Sequence, residues 1–197
     1  MPAAGWSSWN LVAGSVTAED IKRQAEAMVA KGLDKVGYVY VGIDCGWDER
    51  HRNATGYLQP KPSFPDGILA VAQYVRGLGD GLLKLGIYSE HQDADCCGGP
   101  GMKGFEDKDA AFYKENGIEY LKVDSCAGHS LSPQEMYEDY ANIRDALNKT
   151  GVPIYLNICP TLTTKTIKPA VHPICSAWGS DVYSSIGFQN AGLDVRG

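Results

Sequence analysis

Positive charge is in short supply: 18 Lys and Arg against 24 Asp and Glu leave a net charge of −6 over 197 residues. Nucleic acids and anionic membranes need a basic face to meet their phosphates, so both are disfavoured as partners, and neutral polar ligands fit better. No apolar run approaches the ~20 residues of a membrane-spanning helix. The opening Met1-Pro2-Ala3-Ala4-Gly5-Trp6 has neither the charged start nor the apolar core of a signal peptide. A G-x-x-x-x-G-K-[ST] phosphate loop is also missing, which argues against nucleotide binding. The six cysteines, Cys45, Cys96, Cys97, Cys126, Cys159 and Cys175, contain no C-x-x-C pair, so they do not spell a zinc site. Disulfides are the expected use. The sequons Asn53-Ala54-Thr55 and Asn148-Lys149-Thr150, both read as polar turns, agree with an oxidising compartment and glycosylation.

What is present is organised around Tyr120-Leu121-Lys122-Val123-Asp124-Ser125-Cys126. It reads as a buried strand that ends by projecting a carboxylate and a cysteine into a loop. Side chains of a strand alternate, so Lys122 and Asp124 share a face and converge on one spot. Such a pair is either a salt bridge closing the strand end or part of a reactive site.

Strand and helix signals alternate along the rest of the chain. Gly5 to Leu11 reads as a short first strand, followed by a helix from Thr17 to about Gly32 that opens on a Thr17/Asp20 capping box. Val36 to Asp44 is a second strand, and Pro60, Pro62 and Pro65 exclude regular structure after it. A helix over Ile68–Leu78 leads to a third strand, Leu83–Ser89, and then to a glycine-rich loop from His91 to Gly104. Further helices are expected over Glu106–Asn116 and from the Ser132-Pro133 start to Lys149. A fifth strand follows at Ile154–Cys159 and a sixth at Ile174–Trp178. This is an α/β layout of the (β/α)8 TIM-barrel type, incomplete at about five and a half βα units. An open doubly wound sheet is the rival arrangement.

The residues at the strand ends are Trp6, Asp44, Tyr88, Lys122 with Asp124, Trp178 and Asp181. Aromatic faces with carboxylates and a lysine describe a sugar pocket, and paired carboxylates hydrolyse glycosides. The blocks Pro2–Asn10, Tyr38–Trp47, Lys84–Ser89, Cys96–Gly104 and Tyr120–Cys126 resemble, in order and spacing, the glycoside hydrolase family 27 α-galactosidases, or melibiases. The likeness runs over roughly residues 2 to 182. It implies that residues 1–197 form the barrel catalytic domain with its C-terminal part missing. It also implies a retaining mechanism without cofactor or metal, in which Asp124 is the nucleophile and Asp181 the acid/base. By the same resemblance Trp6, Asp44, Tyr88, Lys122 and Trp178 contact the sugar, and Cys96–Cys126 and Cys159–Cys175 are disulfides. Cys45 and Cys97 are left as small buried thiols.

Three departures from the family pattern fall in the pocket. Ile43-Asp44-Cys45-Gly46-Trp47 replaces Ile-Asp-Asp-Cys-Trp, Cys159 is followed by Pro160 and Thr161, and Gly179 stands where an Arg is expected. They leave open a changed sugar preference, for α-N-acetylgalactosamine or β-L-arabinopyranose, and a sugar-binding protein without turnover. The expected partner is an α-galactoside or related glycoconjugate, with a homodimer as the possible assembly. The expected route is the secretory or lysosomal one.

Overall fold

The structure, a computed structural model, describes residues 3–126 and 131–159. Five parallel strands run through them: β1 (Gly5–Ser7), β2 (Tyr40–Gly42), β3 (Lys84–Glu90), β4 (Tyr120–Asp124) and β5 (Tyr155–Ile158). Between them lie α1 (Trp9–Val12), α2 (Ala18–Ala30), α3 (Gly67–Arg76), α4 (Glu106–Glu115) and α5 (Pro133–Lys149). The strands lie side by side in chain order, β1-β2-β3-β4-β5. A doubly wound sheet reverses its order at a switch point, whereas a barrel never does, so the order decides for the barrel type.

Local chemistry explains the helices. Thr17 accepts from the Asp20 N–H while Asp20 accepts from the Thr17 N–H, closing the expected capping box of α2. Ile21, Ala25 and Met28 then form one buried stripe facing the sheet. Ser132 and Glu135 cap α5 in the same reciprocal way. One face of the sheet, Val41, Leu85, Ile87, Leu121 and Val123, is almost entirely buried. On the other face Tyr40, Tyr120 and Tyr155 pack ring against ring with centroids 5.1–5.9 Å apart, filling the barrel below the site.

Several boundaries differ from the sequence reading. The first strand stops at Ser7, because the Ser8 carbonyl accepts from Leu11 and Val12 N–H and turns the chain into α1. The second strand is three residues long. Val36 ends a 3₁₀ turn and is 71% exposed, and Gly37 breaks the chain with φ of +97°, a conformation that glycine adopts freely. Asn53 lies in an exposed turn, its Oδ1 accepting from the Thr55 and Tyr57 N–H groups. Asn148 is exposed in the last turn of α5, not in a loop. No described helix is long and apolar enough to cross a membrane.

The loop between β3 and α4 contains Gly99-Pro100-Gly101-Met102-Lys103-Gly104, which spells G-x-G-x-x-G. It does not bind a dinucleotide in the usual way, because it begins nine residues past the end of β3. The helix it precedes opens with Glu106, Asp107 and Asp109, which repel phosphate. Arg52 ties this loop down. Its guanidinium donates to both oxygens of buried Asp109 at 2.5 and 2.7 Å, donates to the Gly101 carbonyl, and lies 4.1 Å from the Phe105 ring centre.

Candidate active site

The C-terminal ends of the strands meet around a hollow of about 200 Å³. Three charged groups line it, Asp44 after β2 and Lys122 and Asp124 on β4, with Trp9 and Tyr88 as aromatic walls. Sulfur atoms complete the lining, from Cys45, Cys96, Cys126 and Cys159. This is smaller than the ~300–1,000 Å³ clefts that take drug-sized ligands, and it suits a single sugar ring. A larger cleft of about 750 Å³ between α4 and α5 is also lined by charged groups, Glu106, Asp107, Lys108, Asp145 and Lys149, but these come from helix surfaces and the cleft lies away from the strand ends.

Alternation on the strands sets which side chains arrive. The register aligns Tyr88, Lys122 and Asn157 in one layer, with Glu90 beside Asp124 one layer higher. Lys122 and Asp124 share a face as expected, but they are not each other's partners. The Lys122 ammonium lies 2.9 Å from Asp44 Oδ2 and 5.2 Å from the centre of the Tyr88 ring. Asp44 is 2% exposed and fully engaged: Oδ2 also accepts from the Ser7 hydroxyl at 3.1 Å, and Oδ1 accepts from the Cys45 N–H at 2.8 Å. A buried ion pair whose carboxylate is engaged on both oxygens holds its geometry tightly.

Asp124 instead receives the Tyr88 hydroxyl at Oδ2, 3.1 Å away, and the Ser125 N–H at Oδ1, 2.9 Å away. Burial, reinforced by the neighbouring carboxylate of Asp124, pushes the Tyr88 phenol well above its usual range. Tyr88 therefore stays protonated and acts as a fixed donor to the carboxylate. The turn that follows is held by the Cys96–Cys126 disulfide, with Cα atoms 5.5 Å apart, and by Glu90, whose Oε2 accepts from the Cys126 N–H at 2.7 Å. Glu90 also lies close to Cys96 and Cys126, but their sulfurs are joined to each other and offer no thiolate to a metal.

Of the residues named from sequence, Asp44, Tyr88, Lys122 and Asp124 come together in the hollow, and the Cys96–Cys126 bridge forms. Trp6 does not line it. Ser7 points at Asp44, so its neighbour Trp6 faces the opposite side of β1 and packs against the core. Trp9 is the tryptophan that lines the site, beside Tyr88. The Trp6–Trp9 spacing could have suggested this only if the early end of the strand had been foreseen. Cys45 and Cys97 are not thiols but a second disulfide, with Cα atoms 6.0 Å apart, tying the end of β2 to the β3 loop. The surroundings are tight: a Cβ on Gly46 would stand 2.5 Å from the Gly14 carbonyl oxygen, and one on Gly14 would stand 3.4 Å from the Cys97 sulfur. Cys159 is oxidised too, but Cys175, its expected partner, lies outside the described residues, as do Trp178 and Asp181. Asn157 was not singled out; it lies buried beneath the site and donates to the Tyr120 hydroxyl.

Below the disulfides, the carboxyls of Asp48 and Asp95 are paired and buried, 4% and 8% exposed. Asp95 accepts the Cys97 and Gly99 N–H groups, so it holds the loop. Burial first, then the charge of Asp95, pushes Asp48 up to about 7, against the pull of Lys61. A carboxyl raised above its unfolded value stabilises the fold fully below about pH 4, and that contribution is lost as pH rises through 7. Asp48→Asn is therefore expected to stabilise the fold at pH 8, by about 4 kcal/mol, and to change little at pH 4. Thermal melts across that range check it; equal effects at both pH values would contradict it.

Comparison with known proteins agrees with this geometry. The sequence model of the melibiase family described as Alpha galactosidase A matches residues 2–187. The chain is 41% identical over 160 residues to Alpha-galactosidase A of Cellvibrio japonicus, covering 80% of this chain and 38% of that protein. It is 40% identical over 160 residues to an α-galactosidase of Coffea arabica, covering 80% and 41%. Among solved structures, the α-galactosidase of Saccharomyces cerevisiae with raffinose superposes with a TM-score of 0.75 at 32% identity, covering 80% of this chain and 35% of that one. The chain thus spans about two fifths of the length of the curated relatives it matches. Strand order, strand-end carboxylates and the match over nearly the whole sequence lead to one conclusion: this chain belongs to the melibiase family, the α-galactosidases of glycoside hydrolase family 27.

Proposed function

We propose that the chain is the barrel part of a retaining α-galactosidase that releases terminal α-linked galactose. The observation that carries this is Asp124, presented at the end of β4 into a sugar-sized hollow and oriented by the Tyr88 hydroxyl. A carboxylate with a protonated phenol on one oxygen and a backbone N–H on the other is aimed, which is what an in-line attack on an anomeric carbon requires.

In the first step an Asp124 oxygen forms the bond to the anomeric carbon as the glycosidic bond breaks, and the departing oxygen takes a proton from the acid/base. In the second, the same acid/base removes a proton from water, which displaces Asp124 and restores the original anomeric configuration. We assign the acid/base to Asp181 from the sequence pattern alone; a retaining pair requires the two carboxyl groups ~5–5.5 Å apart. The Asp44–Lys122 pair and Trp9 would hold the sugar, the charges on its hydroxyls and the indole on its apolar face. Cys45, joined to Cys97, lines the wall where the family pattern has a second carboxylate, so this protein makes fewer charged contacts to the sugar.

The relative solved with raffinose supports an α-galactoside oligosaccharide as substrate. The disulfides and the exposed Asn53 and Asn148 support a secretory route with glycosylation at those positions. A panel of chromogenic glycosides tests the assignment: α-galactoside is expected to turn over fastest. Faster release from α-N-acetylgalactosaminide or β-L-arabinopyranoside would overturn the sugar assignment, and release from none would overturn the activity.

A further inference from the structure

A second constellation lies just behind the hollow. Asp139 Oδ2 on α5 is 3.0 Å from Nδ1 of His91, and Nε2 of the same ring is 3.1 Å from the Ser125 hydroxyl. That is the order and spacing of a Ser-His-Asp triad. Nucleophilic chemistry there fails on access, since Ser125 is 0% exposed and His91 1%. What this chain of bonds grips is the turn after Asp124, and the Ser125 N–H donates to Asp124 Oδ1 at 2.9 Å. Whatever sets the position of residue 125 sets that oxygen too.

The polarity of the ring follows from its neighbours. Gln92 Oε1 accepts from the Lys103 ammonium at 3.2 Å, which turns its amide nitrogen towards Asp139. An ionised Asp139 only accepts, so it takes the Nδ1 proton and leaves Nε2 to accept from the Ser125 hydroxyl. Burial favours this neutral ring, lowering His91 below its usual range although Asp139 pulls the other way. The Tyr140 ring, 4.9 Å away, fixes the imidazole plane, and the His91 N–H donates to the Asp124 carbonyl at 3.3 Å.

We propose that His91 is a positioning residue for the nucleophile: by coupling Ser125 to Asp139 on α5, it fixes the Ser125 N–H against Asp124 Oδ1 and with it the direction of the carboxylate. The proposal rests on the assignment of Asp124 as nucleophile, and its test separates the two.

Three variants of the full chain distinguish the roles of the ring. His91→Gln keeps a polar group where Nε2 stood, His91→Asn keeps one only near Nδ1, and His91→Ala keeps neither. Amide hydrogen exchange resolved over residues 120–126, and kcat and KM on an aryl α-galactoside, are measured for each. The expected result is that Ala and Asn speed exchange at Ser125 and lower kcat by roughly 10-fold or more, with KM within about twofold, while Gln, which keeps the bond to Ser125 but loses the one to Asp139, falls between Ala and the parent in both. If all three merely melt earlier, with Ser125 exchange and kcat per folded molecule unchanged, or if Gln behaves like Ala, the proposal is wrong. A parent protein that turns over no galactoside would sink the hydrolase assignment separately, and the exchange measurement would still decide the role of His91.

Discussion

Asp124→Asn is expected to lower kcat on aryl α-galactosides by roughly 10⁴-fold or more, while the protein melts within a few degrees of the parent. The two effects separate because the carboxylate is built into little besides its own site. It is partly exposed, and its contacts are the Tyr88 hydroxyl on Oδ2 and the Ser125 N–H on Oδ1; the amide oxygen of Asn can keep the Ser125 N–H, and the Tyr88 hydroxyl can turn to accept from the amide NH2. What the amide cannot do is form and release a glycosyl ester. Steady-state rates with calorimetry on the same preparation check the pair of outcomes. A variant that keeps even a tenth of the parent rate would place the nucleophile elsewhere.

Lys122→Met is expected to have the largest effect on stability, about 3–5 kcal/mol, or roughly 10 °C in melting temperature for a chain of this size. The loss comes from what stays behind. Asp44, 2% exposed, would be left with only Ser7 and the Cys45 N–H as donors, and the desolvation that Lys122 had offset would stand uncompensated. Adding Asp44→Leu should therefore recover most of the loss, because a buried pair replaced by apolar groups of similar size is often near neutral. Chemical denaturation of both single variants and the double variant forms the cycle that tests it. Additive losses would mean that the pair does not couple and that Lys122 acts only by its packing over Tyr88.

Much of this site was legible before the fold was known, for a physical reason. Period-two alternation makes Lys122 and Asp124 share a face whatever the neighbouring strands do, and apolar strands that end in a charge announce where their C-terminal ends lie. Partner choice is different, since it depends on the register between strands that are far apart in sequence. Lys122 meets Asp44 across 78 residues, and nothing local distinguishes that from a bond to Asp124. The Cys45–Cys97 bridge was missed for the same reason: it depends on how closely the β2 end approaches the β3 loop, across 52 residues of sequence. Trp6 and Trp9 were exchanged because hydrogen bonds to the Ser8 carbonyl end the first strand early, and a turn of chain three residues long leaves no periodicity to read. His91 gave no signal at all, as its partners Ser125 and Asp139 come from two other elements.

The claim on which the rest depends is that Asp124 forms the covalent glycosyl-enzyme. Incubation with an activated 2-deoxy-2-fluoro-galactoside, whose fluorine slows release of the intermediate, followed by proteolysis and mass spectrometry, addresses it directly. The expected result is a single fluorogalactosyl adduct on the peptide containing Tyr120–Cys126, localised to Asp124, with activity lost in proportion to labelling. An adduct on any other carboxylate, or rapid turnover with no adduct at all, would contradict the assignment.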